Sequence, residues 1–293
     1  MKDYLIRAID KSGSIRIFAA TTTNLVEEAH RIHNTSPTAT AALGRTLTIS
    51  AMMGIMMKND QDILTLKING NGPIGLIMAV ANNKGEVKGV VNNPEADLPS
   101  RSDGKLDVGG VVGDNGTLTV IMDLGLKEPY VGQTSLVSGE IAEDIASYYV
   151  ISEQTPSVVS LGVLVGKDIS CKAAGGFMIQ VLPGVSDETL DSIEETLKTL
   201  PQVSDFLDEE KDLEKFLALL TGEGNYKVLE EMPVMYHCDC SKERFADAIV
   251  SLGKDEIQQM IEEDGGAEAV CHFCRGKYQY SIKELEELQA EAN

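Results

Sequence analysis

The sequence has no tryptophan, and aromatic residues of all kinds make up only 5% of it. An interior must therefore be built from leucine, isoleucine, valine, methionine and alanine. That is feasible, because 43% of the chain is hydrophobic. Basic residues are scarce too. Twenty-five Lys and Arg stand against 46 Asp and Glu, a formal charge of −21 over 293 residues. Phosphate backbones are bound by clustered cations, through charge neutralisation and counterion release. No such cluster occurs, which argues against nucleic acid and anionic membrane as partners. Long apolar runs are missing as well. The longest, TLTISAMMGIMM at 46–57, lies between Arg45 and Lys58 and is too short to span a bilayer. The opening MKDYLIRAIDKSG is charged at once, with no apolar signal core. A soluble, cytoplasmic protein is expected.

Cysteine is the remaining scarcity. There are five, and four of them fall in the last fifth of the chain, as Cys238 with Cys240 and Cys271 with Cys274. In a reducing compartment such pairs bind metal or do redox chemistry more often than they staple a fold.

What is present reads as an α+β protein. YLIRAI and SIRIFAA alternate around DKSG, a hairpin pattern. TTTN offers N-caps for a helix over 24–33, and Pro37 opens a long, mostly buried helix. ILTLKI, GLIMAVA, EVKGVV and TLTVIMD are short strands parted by Asn/Gly turns. SGEIAEDIASYYVISEQ is helical, and SVVSLGVLVG and GGFMIQVLPG are buried strands. Residues 1–183 are thus expected to form a mainly antiparallel sheet domain with packed helices.

Composition shifts after Pro183-Gly184. Residues 186–232 carry 14 acidic and 4 basic side chains, a local charge of −10. Leu190, Ile193, Leu197 and Leu200 share a thin helical stripe, as do Leu213, Phe216, Leu217 and Leu220. Residues 184–235 are expected to be an acidic helical linker, only marginally stable unless it leans on something. Residues 236–293 form a third unit, with two amphipathic helices, a hairpin carrying Cys271 and Cys274 at its tip, and a capping box of Ser281 and Glu284 before a last helix.

Several chemical signals weaken on inspection. GNGPIG at 70–75 matches a dinucleotide-binding pattern, but Pro73 and the alternating GLIMAVA do not open the helix it requires. A glycine-rich strand connection fits better. Cys171 stands alone and reads as a core or surface thiol rather than a nucleophile. Met52, Met53, Met56 and Met57 could form an adaptable binding face, but buried helix packing is the plainer reading. Glu143 and Asp144 read as a solvated helix surface rather than an acid–base pair. No hydrolytic triad can be assembled from four histidines, so no catalytic residue is assigned.

The clustered cysteines are the strong signal. Four thiolates complete a closed tetrahedral zinc site, and Gly276 after CxxC suits a knuckle. His237 and His272 each adjoin a cysteine, which makes joint ligation awkward, although an Fe–S cluster remains compatible with the spacing. Cys240 also precedes a helix capped by Ser241, where the dipole favours thiolate. A structural clip, an oxidant-sensitive switch and a dithiol oxidoreductase using Cys271 and Cys274 are the competing readings.

The stretch HCDCSKERF…VCHFCRGKY, with its CxC–x30–CxxC spacing, resembles the zinc module of the redox-regulated 33-kDa heat-shock chaperone family. PTATAALGRT, NGPIG, GKLDV, NGTL, VSGE, SEQTP and AAGGFMIQVLPG resemble core segments of that family, so the likeness covers essentially the whole chain. Gly109 and Gly110 stand where many members carry basic residues, and Cys171 is not a family feature. The resemblance implies an ATP-independent holdase rather than an enzyme. It implies one Zn2+ on Cys238, Cys240, Cys271 and Cys274 in an inactive, reduced state. On oxidation it implies disulfides Cys238–Cys240 and Cys271–Cys274, zinc release, unfolding of linker and zinc module, homodimerisation and binding of unfolding clients. The client-binding surface stays open.

Overall fold

A computed structural model describes residues 2–210 and 212–292. The chain divides into two compact units, Met1–His237 and Cys238–Asn293.

The first unit begins with β1 (Tyr4–Asp10), β2 (Ile15–Thr21), α1 (Thr23–His33) and α2 (Pro37–Gly54). Then come β3 (Ile63–Asn69), β4 (Ile77–Ala81), β5 (Glu86–Val91), α3 (Val108–Val112), β6 (Thr117–Asp123) and β7 (Tyr130–Ser135). It continues through α4 (Ala142–Ile151), β8 (Ser157–Val165) and β9 (Cys171–Val181). It closes with α5 (Asp187–Thr199), α6 (Val203–Glu209), α7 (Leu213–Thr221), β10 (Tyr226–Pro233) and β11 (Met235–Tyr236). Two sheets result, ordered β10-β1-β2-β9-β8 and β11-β5-β4-β3-β6-β7. Every pairing is antiparallel except β11 with β5. The α+β expectation is met. The short, exposed β7 and the five-residue α3 were too weakly patterned to foresee.

Helix α2 is the hub. The Ser36 hydroxyl accepts the Ala39 N–H and Pro37 occupies the first turn, where its missing donor is harmless. The helix is buried on nearly all sides and packs on strands of both sheets. Met52 and Met53 are buried in this core and Met56 and Met57 pack against it, so the methionines are packing residues.

The first sheet is apolar on both faces, as strand alternation allows. Leu5, Phe18 and Met178 join the core around α2. Their neighbours Ile6, Ile17, Ala19, Phe177 and Ile179 face the other way. That second face is covered by Val203, Phe206, Leu207, Leu213, Phe216, Leu217 and Leu220, from α6 and α7. Each such burial contributes roughly 1.5–3 kcal/mol relative to exposure. The Leu213–Leu220 stripe therefore leans on the first sheet, whereas the stripe of α5 has no fully buried residue and only Ile193, Leu197 and Leu200 fringe the same cluster. Polar contacts fix the seat. The Asp212 carboxylate accepts the N–H groups of Glu214 and Lys215, and the Leu213 N–H donates to the Tyr4 hydroxyl at 3.0 Å.

The segment 184–235 is not helical throughout. Residues 226–233 form β10, which pairs with β1 from Tyr4↔Pro233 to Asp10↔Tyr226 and places Arg7 3.0 Å from Glu230. Its alternating half-exposure is that of an edge strand, and Pro233, with no N–H to donate, ends it. The acidic composition masked this alternation.

One further reading changes and another is met. Asp144 is wholly buried, and its carboxylate accepts N–H groups of Val137, Ser138 and Ile141 at 2.7–3.1 Å. It closes the turn before α4 and is no solvated surface residue; Glu143 is exposed. Gly70 and Gly72 lie so close to the backbone of Val111–Gly113 that a Cβ at Gly70 would sit 2.0 Å from a carbonyl oxygen. GNGPIG is thus a strand connection packed on α3.

Candidate metal centre

The second unit contains α8 (Lys242–Val250), α9 (Lys254–Gln259), a π-helical turn (Met260–Asp264), the hairpin β12 (Ala267–Val270) and β13 (Lys277–Tyr280), and α10 (Ile282–Glu291). Its core is small: Ile249, Ile257, Tyr280, Leu285 and Ala292 with a partly buried fringe. A unit this short and this sparsely filled needs a staple. The Ser281–Glu284 capping box forms as expected, with Lys242 2.6 Å from the Glu284 carboxylate.

Cys238 and Cys240 lie just before α8, whose N-cap is Ser241, its hydroxyl accepting the Arg244 N–H. Cys271 and Cys274 occupy the tip of the β12–β13 hairpin. There the Cys271 N–H donates to the Gly276 carbonyl, the Arg275 N–H donates to the Cys271 carbonyl, and the Gly276 N–H points at the Cys274 sulfur from 3.4 Å. Arg275 adopts φ 59°, the left-handed turn of the knuckle. Gly276 is small for a reason: a Cβ there would stand 3.2 Å from the Cys274 Sγ.

The hairpin tip and the CxC segment bring all four sulfurs within 4.8 Å of one another. Contacts run across the pairs, Cys238 to Cys271 at 3.7 Å and Cys240 to Cys274 at 3.2 Å. Four sulfurs about 2.3 Å from a tetrahedral zinc would be about 3.8 Å apart. The donor set therefore fits such an ion with shifts of an ångström or less. Neither histidine belongs to the cluster among the described residues: His272 is exposed, and His237 lies 4.0 Å from Glu86.

The surroundings differentiate the thiols. Burial pushes Cys238 up, and hydrogen bonding with Cys271 adds to this. Cys240 is also pushed up by burial, but contacts with the Tyr278 hydroxyl, Cys274 and Cys238 outweigh that and bring it to about 7. Tyr278 is a residue the sequence did not flag. Its hydroxyl donates to the Cys240 carbonyl at 3.0 Å and lies 3.2 Å from its sulfur, while its ring packs on Phe245 at 5.2 Å. An aromatic four residues past the second pair carried no recognisable signal of its own. Cys171 takes no part in this unit. It is buried beside Val26 and Ala174, and burial, then Glu27, raises its thiol to about 12.

The Hsp33 protein family profile matches residues 3–281. The chain belongs to the Hsp33 family. It is 51% identical to the 33 kDa chaperonin of Enterococcus faecalis, over 100% of this chain and 98% of that one. It is 52% identical to the 33 kDa chaperonin of Bacillus subtilis, over 98% of each. The crystal structure of the 33 kDa chaperonin (heat shock protein 33 homolog) of Thermotoga maritima superposes with a TM-score of 0.90 at 38% identity, covering 99% of this chain and 98% of that one. Hsp33 is a chaperone family, so the protein is a chaperone rather than an enzyme, and unfolded proteins are its implied partners. No described helix is long and apolar enough to cross a membrane.

Proposed function

We propose that this protein is a redox-switched, ATP-independent holdase of the cytoplasm. The observation that carries the reading is the convergence of four thiols, from two tight pairs, on one point in an undersized unit. In the reduced, inactive state Cys238, Cys240, Cys271 and Cys274 hold one Zn2+. Bound there, zinc supplies a cross-link worth on the order of 10–16 kcal/mol to a small domain, when a typical domain has only about 5–15 kcal/mol in all.

The thiolates are also the groups that peroxide attacks. Four of them give up four electrons in forming Cys238–Cys240 and Cys271–Cys274. Two hydrogen peroxide molecules accept those electrons, with four protons, and become four waters. The donor set is then gone, zinc can no longer be held, and the tie between the CxC segment and the hairpin is cut. Residues 236–293, the redox module of this reading, lose their order, and the linker 184–235 loosens after them. Lifting α6 and α7 would bare two apolar surfaces at once: their own stripe and the sheet face of Ile17, Phe177 and Ile179. Unfolding clients bind the oxidised form, which dimerises, while the linker's acidic side chains keep the complexes in solution.

The test is light scattering from a heat-unfolding client mixed with the reduced, zinc-loaded protein or with the peroxide-oxidised protein. Suppression by the oxidised sample alone supports the switch. Equal behaviour in both leaves the cysteine site a structural clip.

A further inference from the structure

The first sheet ends in β8, which pairs with β9 and with no other strand among the described residues. In an antiparallel pair every second residue turns its N–H and C=O away from its partner. Proteins usually blunt such an edge with proline, lysine, inward charges or a covering element. The strand SVVSLGVLV has none of those residues. Its second half, 160–165, instead lines a cleft of about 560 Å3. The opposite walls are Ala41 and Arg45 of α2, the loop around Lys105, and the start of α6 at Val203. This edge is recessed rather than covered.

We propose that the edge of β8 at 160–165 is a docking site for one extended, apolar client segment with acidic flanks, which adds to the first sheet as a further strand. An added strand lies about 4.8 Å from its neighbour, so a recess admits a single chain more readily than the edge of a second folded sheet. Main-chain pairing ignores side-chain identity, which suits partners of unrelated sequence. The flank preference comes from charge. Arg45 is taken up by Glu140 at 2.6 Å and Asp103 lies 3.9 Å from Arg101, which leaves Lys105 and Lys167 facing Asp205, a local surplus of one positive charge. The inference rests on the holdase reading but concerns a surface that the linker helices only border, through the start of α6 at Val203.

The test uses the full-length protein, reduced and oxidised, with a short fluorescent peptide of alternating valine and threonine flanked by aspartates. Hydrogen exchange should show protection of the 160–165 amides on peptide addition. N-methylating alternate peptide residues removes the pairing donors and should weaken binding about tenfold or more. Lysine flanks, or the exposed double variant K105E/K167E against the aspartate-flanked peptide, should also weaken it. Equal binding of plain and N-methylated peptides, no peptide binding, or protection confined to 187–221 would overturn the proposal. So would protection of 160–165 without peptide that grows with protein concentration, which would assign the edge to a second copy. Client aggregation assayed in parallel separates the two readings. Suppression without protection of 160–165 sinks the cleft and leaves the holdase standing. Protection without suppression does the reverse.

Discussion

The Phe216 ring of α7 lies on the Phe177 ring of β9, with centroids 5.1 Å apart and planes at 42°, and Phe206 of α6 packs against Phe216 from 5.2 Å. This triad is where α6 and α7 grip the first sheet. Phe216→Ala removes the central ring and should cost about 3–5 kcal/mol of local stability. The reduced protein should then show faster hydrogen exchange over 203–221 and should hold clients without oxidant. Unchanged exchange there would mean that the helices are anchored by other contacts.

Metal removal should act unequally along the chain. A strong chelator at neutral pH should collapse exchange protection in 242–291 while β1, β2 and β9 keep theirs. Their burial on both faces owes nothing to the cysteines. Cys240→Ser should reproduce this without chelator. Loss of protection throughout β1, β2 and β9 would contradict it.

Tyr278 should set how firmly the site is held. Tyr278→Phe keeps the packing on Phe245 but removes the hydroxyl from the Cys240 carbonyl and sulfur. Groups that orient metal ligands typically matter 10–100-fold in affinity. Zinc release into a colorimetric chelator during peroxide treatment should therefore be faster, with the folded spectrum unchanged beforehand.

The β1–β2 turn should respond to acid. The Asp10 carboxylate accepts N–H groups of Ser14 at 2.7 Å, Ile15 at 2.8 Å and Ser12 at 3.2 Å. Burial works to raise its pKa, but these bonds and the Ser12 hydroxyl outweigh it and hold it below the usual carboxylate value. A depressed folded pKa means stability that is present above the unfolded value, near about 3.9, and lost as pH falls through the folded one. The wild type should be more stable than Asp10→Asn at pH 7 in urea, and the gap should close as pH drops below about 4.

Much of this was legible from residue patterns. The DKSG hairpin, the Pro37 helix, the strands with alternating apolar residues and the Ser281–Glu284 capping box all declare themselves locally. So does the gathering of cysteines, because two tight pairs in a cysteine-poor chain have few bland explanations. What escaped depends on distant partners. YKVLEEMP becomes a strand only because β1 offers it an edge more than two hundred residues away in sequence. Asp144 resembles any acidic residue of a helical first turn until the N–H groups of Val137, Ser138 and Ile141 fold onto it. Tyr278 has meaning only once the knuckle has turned.

The pairing of Tyr4 with Pro233 also sets an order of events during synthesis. The first strand leaves the ribosome early, yet its outer neighbour is among the last segments of its unit to be made. The helices that cover Ile6, Ile17 and Phe177 arrive only shortly before. Such long-range pairing is slow to complete and leaves apolar surface open meanwhile. For that interval the nascent chain displays an uncovered sheet face and an unpaired strand edge, and a finished copy of the same chaperone would meet it as an unfolded client.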